Sequence, residues 1–277
     1  MSVENLWGLT GSGKSYVTTY LVMEHLYTGG VVGMNYRLKD EWAYFAALEH
    51  PLFRNGKVDF ETCVKSLQKR CFYIGNSDTV NELAKMAHDL CVGAIKDKKE
   101  HKTRVFIDEA QLYLNTRNFR DNFSWMTCCS QHRKNGLDMT FICHHPSQLD
   151  KQVMHYVSYI TQVYNLHEQL KLWGTEIRFP WSVIFLRTRA KGERKVSLRW
   201  IGRPKPKIYE LYDSYEIFAF DELSSVVEPQ GRLFPDTCKL YEKAIVETQP
   251  EFEWPERGLR YDWLDFLTGQ PDPAMAC

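Results

Sequence analysis

No apolar run in this 277-residue sequence approaches the ~20 residues that a membrane-spanning helix needs. The first residues do not read as a secretory leader, so the expectation is a soluble protein of the host cytoplasm or of a virion. Charge of one sign is also missing. The 35 basic and 35 acidic residues cancel, so any contact with nucleic acid must come from a local patch. The eight cysteines include no Cys-x-x-Cys pair. His144 and His145 lie beside Cys143 without ligand spacing, which argues against a structural metal site and for reduced, partly buried thiols. Internal repeats and low-complexity tracts are absent, which excludes solenoid and fibrous designs. What is there, at 44% hydrophobic and 14% aromatic residues, suffices for one large α/β domain with an appendage.

One stretch organises the chain. Gly8-Leu9-Thr10-Gly11-Ser12-Gly13-Lys14-Ser15 fits the phosphate-binding pattern G-x-x-x-x-G-K-[ST]. Glycines let the backbone curl until successive amides point inward at phosphate oxygens. Lys14 sets a point charge against the β- and γ-phosphates, and the Ser15 hydroxyl can ligate Mg²⁺. A helix beginning beside Gly13 and running on through Tyr16 aims its positive dipole end at the same anion. Residues 8–16 are therefore the expected cradle for ATP and Mg²⁺; the alternative is a glycine turn that binds nothing. The preceding Val3-Glu4-Asn5-Leu6-Trp7 can be the strand that such a loop needs, but Glu4 and Asn5 make it a poor one.

Further along, Thr28-Gly29-Gly30 is a C-cap signal that ends the first helix. Residues 31–34 and 71–74 read as strands, and 40–50 as a helix capped by Asp40. Residues 51–68 are left as a loop and a short helix, and another helix starts near Thr79. Then Arg104-Val105-Phe106-Ile107-Asp108-Glu109-Ala110 describes a buried parallel strand delivering two carboxylates at its C-terminal edge. There Asp108 would hold Mg²⁺ through water and Glu109 would act as general base on the attacking water. After a helix through Phe123, Trp125, Met126 and Cys129, a fifth strand at 139–143 ends in His144, with Pro146 opening the next helix. His144 emerges where a polar group could sense the γ-phosphate, or it is structural.

Residues 183–189 and 195–201 flank a turn at Lys191-Gly192-Glu193 and read as a β-hairpin. In the second arm Val196, Leu198 and Trp200 share one face, while Lys195, Ser197 and Arg199 share the other. This is the one strongly basic stretch of the chain. Arg187, Arg189, Lys195 and Arg199 either track a DNA backbone by charge or form a solvated face. Beyond Glu222 the sequence turns acidic and proline-bearing, with a last helix expected at 235–247 and an extended docking tail or disorder at 250–277. The expected division is a P-loop ATPase domain at 1–220 and a partly helical C-terminal extension at 221–277.

The combination G-L-T-G-S-G-K-S, V-F-I-D-E-A-Q, S-Q-H-R-K-N-G-L-D and I-C-H-H-P-S-Q-L-D-K-Q-V resembles the zonular occludens toxin (Zot) family, which includes morphogenesis ATPases of filamentous bacteriophages. The resemblance spans roughly residues 3–218. It implies a RecA-like P-loop fold with an additional strand and a catalytic glutamate, akin to FtsK/HerA-type DNA-pumping ATPases. It also implies a homo-oligomeric ring that packages or extrudes viral DNA, together with a capsid or membrane-protein partner. In such rings an arginine commonly completes the neighbour's site. Arg133 is the candidate here, the alternative being a loop-shaping pair with Asp138 or Asp121. Two departures stand out. Family members commonly carry Gln where His144 stands, and phage assembly members carry a membrane span after the ATPase domain that is not seen here. Either an anchor lies beyond this sequence or this relative is a soluble motor. Competing functions are a general helicase or partition-type ATPase, or a structural assembly switch that binds ATP with little hydrolysis.

Overall fold

In the computed structural model, the described residues are 1–74, 77–96, 103–114, 123–165, 171–172, 175–176, 182–212 and 227–230. The chain opens with strand β1 (Val3–Trp7), helix α1 (Lys14–Tyr27) and strand β2 (Val31–Met34). Three short helices follow, α2 (Trp42–Leu48), α3 (Pro51–Arg54) and α4 (Phe60–Gln68), then β3 (Cys71–Ile74) and α5 (Ser77–Lys96). Next come β4 (Thr103–Ile107), α6 (Ala110–Tyr113), α7 (Phe123–Gln131), β5 (Leu137–Cys143) and α8 (Lys151–Tyr156). Strand β6 (Tyr159–Asn165), the two-residue strands β7 (Lys171–Leu172) and β8 (Thr175–Glu176), β9 (Ile184–Ala190), β10 (Val196–Gly202), α9 (Pro206–Tyr209) and β11 (Val227–Pro229) complete it.

Nine of these strands form one sheet in the order β10-β9-β6-β1-β5-β4-β2-β3-β11. The six from β6 to β3 are parallel, and β9, β10 and β11 join antiparallel at the two edges. The expected mainly parallel sheet is therefore present, and the hairpin is its edge rather than a separate piece. Helices cover both faces, because alternate residues of the central strands are apolar in both directions. Leu6, Phe106 and Ile142 enter a cluster with Val17 and Val22 of α1, Trp42 of α2 and Phe60 of α4. Val3, Val105, Met139 and Phe141 enter another with Leu83 of α5, Trp125 of α7 and Val153 of α8. Cys63, Cys71, Cys128, Cys129 and Cys143 are free and buried.

The two polar residues that weaken β1 on paper draw on partners from other strands, although the buried Asn5 Oδ1 has none among the described residues. Glu4 pairs with Arg104 of β4 at 2.7 Å and accepts from Thr161 of β6, while Arg104 also donates to Thr140 of β5 at 2.9 Å. Asn5 donates to the Cys143 thiol at 3.3 Å. A buried polar side chain in a strand is tolerated when neighbouring strands supply partners.

Other expectations shift in detail. Asp40 does not cap α2. The Trp42 amide is taken by the Lys39 carbonyl at 3.0 Å, so the helix starts after Glu41, with no side-chain cap. Residues 51–68 hold two helices, the second capped by Asp59, whose carboxylate accepts from Thr62 N at 2.8 Å. Pro146 opens only a 3-10 turn, Pro146–Gln148, capped by His145. The segment 227–230, assigned from sequence to the extension, adds β11 to the domain's sheet. Its Gln230 takes the Leu38 amide at 3.0 Å and, through its carbonyl, the Trp42 indole at 2.8 Å. The helix expected at 235–247 and the tail at 250–277 lie outside the described residues.

Arg70, 8% exposed, ties three elements together. Its guanidinium donates to the carbonyls of Leu26 at 2.6 Å, Gly30 at 3.1 Å and Ser66 at 3.0 Å. Burial lowers its pKa to about 10, which leaves it charged at neutral pH. Arg70→Ala strips three buried carbonyls of their donor and is expected to cost about 3 kcal/mol. An unchanged urea midpoint in that variant would show that the guanidinium carries no such load.

A candidate nucleotide site at the carboxyl edge of the sheet

The C-terminal ends of β1, β5 and β4 lie side by side, because β5 is inserted between the other two. β1 runs into the glycine-rich loop, β5 into His144 and β4 into Asp108-Glu109. The loop requires glycine at particular places. A Cβ on Gly8 would lie 2.5 Å from Ser12 Oγ and 3.1 Å from the Val163 carbonyl. Gly13 has φ +88°, and a Cβ there would meet Ile184 Cδ1 at 2.9 Å. As N-cap of α1, Gly13 offers no side-chain acceptor, so the first-turn amides, those of Lys14, Ser15 and Tyr16 among them, remain available to an anion.

Lys14 is 9% exposed and its ammonium is fully engaged. Nζ donates to the carbonyls of Gly8 at 2.8 Å and Leu9 at 3.1 Å, and lies 3.1 Å from His144 Nδ1. An ammonium has only donors, so Nδ1 must accept and the imidazole proton sits on Nε2. That nitrogen faces Glu109 Oε1 at 3.4 Å. His144 thus bridges the lysine of the loop and the second carboxylate of β4. Burial lowers the Lys14 pKa, and the nearby Glu109 and Asp108 charges oppose that shift.

Glu109 has φ 48° and ψ 42°, the one left-handed non-glycine residue among those described. A side chain in this region is strained, and such strain collects at functional sites. Its second oxygen accepts from Gln111 Nε2. Asp108 is anchored through its backbone: its carbonyl accepts from Asn35 Nδ2 at 2.8 Å and its amide donates to Asn35 Oδ1 at 2.6 Å. Burial pushes the Asp108 carboxyl up to about 6, despite the Glu109 amide donating to it at 2.9 Å. A poorly solvated carboxylate held in this way is suited to a cation. Among the described residues no cluster of three or more His, Cys, Asp or Glu forms a cage. A cation here would therefore take most of its ligands from phosphate and water, the usual habit of Mg²⁺.

The model for the zonular occludens toxin (Zot) family matches residues 7–217. The chain belongs to the Zot family. Its fold is a mainly parallel α/β sheet flanked by helices, in which β5 separates the loop strand from the carboxylate strand. Among solved structures, the N-terminal domain of zonular occludens toxin from Neisseria meningitidis is 16% identical with a TM-score of 0.40, covering 76% of this chain and 98% of that one. The genome packaging NTPase B204 from Sulfolobus turreted icosahedral virus 2, in complex with AMPPCP, is 13% identical with a TM-score of 0.44, covering 74% and 98%. A KaiC-like protein from Pyrococcus horikoshii OT3 is 11% identical with a TM-score of 0.40, covering 72% and 84%. No curated protein matches.

In this Zot-family chain the residues singled out from sequence do not all converge. Lys14, Asp108, Glu109 and His144 meet at the loop. Arg133 is exposed in the turn before β5, at the opposite edge of the sheet. The hairpin bases divide between two faces: Leu186 lies opposite Arg199 and Arg187 opposite Leu198, so Arg187 and Arg189 point away from Arg199, while Lys195 lies just before β10 and outside it. Asn35 and Gln111 had no sequence signal of their own. Gln111 lies within the V-F-I-D-E-A-Q motif, which could have drawn attention to it, whereas Asn35 reaches Asp108 only because β2 pairs with β4. Neighbouring His145 is set apart by its packing: it caps the 3-10 turn and lies edge-on to Trp7 at 5.4 Å.

Proposed function

We propose that this protein is an ATP-hydrolysing motor that moves viral DNA during genome packaging or virion assembly and export. The observation that carries the reading is the His144 bridge, which brings the phosphate-loop lysine and the strained Glu109 to one edge of the sheet. Family membership supports the viral setting. A homo-oligomeric ring, with a capsid or membrane-protein partner, is the assembly in which such a motor works. Among the described residues no helix is long and apolar enough to cross a membrane.

In this reading the amides of residues 11 and 13–15 and the first turn of α1 bind the β- and γ-phosphates, while the Ser12 amide holds the Leu9 carbonyl at 3.1 Å. Lys14 exchanges the Gly8 and Leu9 carbonyls for phosphate oxygens, which its single ammonium can do by rotating about its stem. Glu109, held by Gln111 on one oxygen, takes the proton of the attacking water on the other. His144 Nε2–H, released from Glu109, can then donate to the γ-phosphate. Asp108 and Ser15 would hold Mg²⁺, which when bound neutralises charge on the phosphate oxygens. Asn35 keeps the Asp108-Glu109 backbone in place.

Lys14→Ala is expected to weaken ATP binding at least about 100-fold, since charge-assisted hydrogen bonds of about 3 kcal/mol are lost. Titration with a fluorescent ATP analogue measures this, and unchanged affinity would remove the loop from the site. Steady-state phosphate release by the wild-type protein separates a motor from an ATP-binding switch. Binding without release would leave only the switch.

A further inference from the structure

The hairpin of β9 and β10 has one face packed and one face open. Phe185 lies opposite Trp200 in β10 and opposite Tyr164 in β6, while Arg187 lies opposite Leu198. Opposed residues share a face. On the open one, the rings of Tyr164 and Phe185 stack at 4.9 Å and 6°, and Phe185 and Trp200 are 5.4 Å apart. This ladder ends at the sheet edge in Trp200, 63% exposed, with Leu198 beside it at 57%. Arg187 and Arg189 continue the same face, exposed and without an ion pair to any described residue. The other face is occupied: Leu186 is in the core, and Arg199 is paired with Glu24 of α1.

We infer that the open face is a binding platform for single-stranded DNA, in which bases stack on the aromatic ladder and Arg187 and Arg189 contact phosphates. An unpaired base presents its π-face and can extend a row of rings whose last member is free. In a duplex those faces are already covered by neighbouring base pairs, so the rings add nothing. A merely solvated face would need neither Trp200 nor Leu198 in water, and two exposed arginines beside them suit a polyanion. The platform is also joined to the nucleotide loop. Ile184 packs against Gly13, and the next residue, Phe185, carries the central ring on the opposite face. A displacement of the loop is thus one residue away from the ladder.

The biological setting rests on the motor reading, but the test does not. Binding of labelled oligothymidylate and of a duplex of equal length is measured by fluorescence anisotropy on the full chain without nucleotide, while phosphate release tests the motor separately. Trp200→Ala is expected to weaken single-strand binding about 5- to 150-fold and to leave duplex binding unchanged. Trp200→Phe, which keeps a ring, should restore most of the loss. Arg187→Ala/Arg189→Ala should flatten the log–log salt slope by roughly 0.7 per arginine, whereas Lys195→Ala/Arg199→Ala should barely change it. Unchanged single-strand affinity in Trp200→Ala overturns the inference, and so does an equal loss on duplex. A drop in native mass with intact DNA affinity also overturns it, by showing that the face joins subunits.

Discussion

Glu109→Gln is expected to bind ATP as the wild-type protein does and to hydrolyse it at least about 10²-fold more slowly, a typical general-base contribution. The substitution preserves size and can keep a hydrogen bond to Gln111, so the loop, Lys14 and the Asn35 anchor of Asp108 are undisturbed. It removes the proton acceptor alone. Alanine cannot hold Gln111, and aspartate is shorter and better tolerated at the left-handed φ of 48°, so either would change more than the proton acceptor. Phosphate release and ATP affinity, measured on the same preparation, separate the two effects. Turnover at the wild-type rate would show that Glu109 is not the base. His144→Gln, which retains a donor toward Glu109, should be milder in the same assay than His144→Ala.

Arg133→Ala is expected to lower turnover by about 10³–10⁵-fold, the range measured for arginines supplied to a phosphoryl-transfer site. Arg133 cannot serve its own loop. It precedes β5, and the seven residues of that strand separate it from His144 by roughly 20 Å at the usual rise. The loop-shaping alternative finds no support at Asp138, which forms no ion pair with Arg133 among the described residues and accepts from the Ser2 hydroxyl at 3.5 Å. Asp121 lies outside the described residues. An exposed, permanently charged and planar guanidinium is suited to reach a neighbour's phosphates. Mixing decides whether it does. Arg133→Ala and Lys14→Ala protomers are each inactive alone, but a mixed ring contains interfaces with one intact loop facing one intact arginine. Partial recovery establishes action between subunits. No recovery, with native mass confirming mixed oligomers, sinks it.

Much of this site could be read without coordinates. The loop is local chemistry: glycines at 8, 11 and 13, a lysine and a serine at a helix start act over eight consecutive residues, so spacing alone specifies the cradle. The apolar run ending in Asp108-Glu109 is likewise local, as are the alternating arms of the hairpin. The loop was legible and its strand only weakly so, because Glu4 and Asn5 find their partners on β4, β5 and β6, a hundred residues or more away. β6 and β11 were missed for a related reason. β11 is three residues long and exists as a strand only by pairing with β3.

What only the tertiary structure decided is which of these local pieces meet. Sequence order does not reveal that β5 lies between β1 and β4, and that insertion is what sets His144 between Lys14 and Glu109. Nor can it phase one arm of a hairpin against the other. Each arm's alternation was legible, but register alone puts Arg187 and Arg189 with Trp200 and sends Arg199 to the face of α1. A one-residue slip would reverse that assignment at no cost to the local pattern, because side chains in a strand alternate with a period of two. By itself the sequence determined the chemistry of the loop and the carboxylates. The packing of strands that are distant in the chain determined their geometry, because hydrogen-bonded register and core burial are properties of pairs of segments.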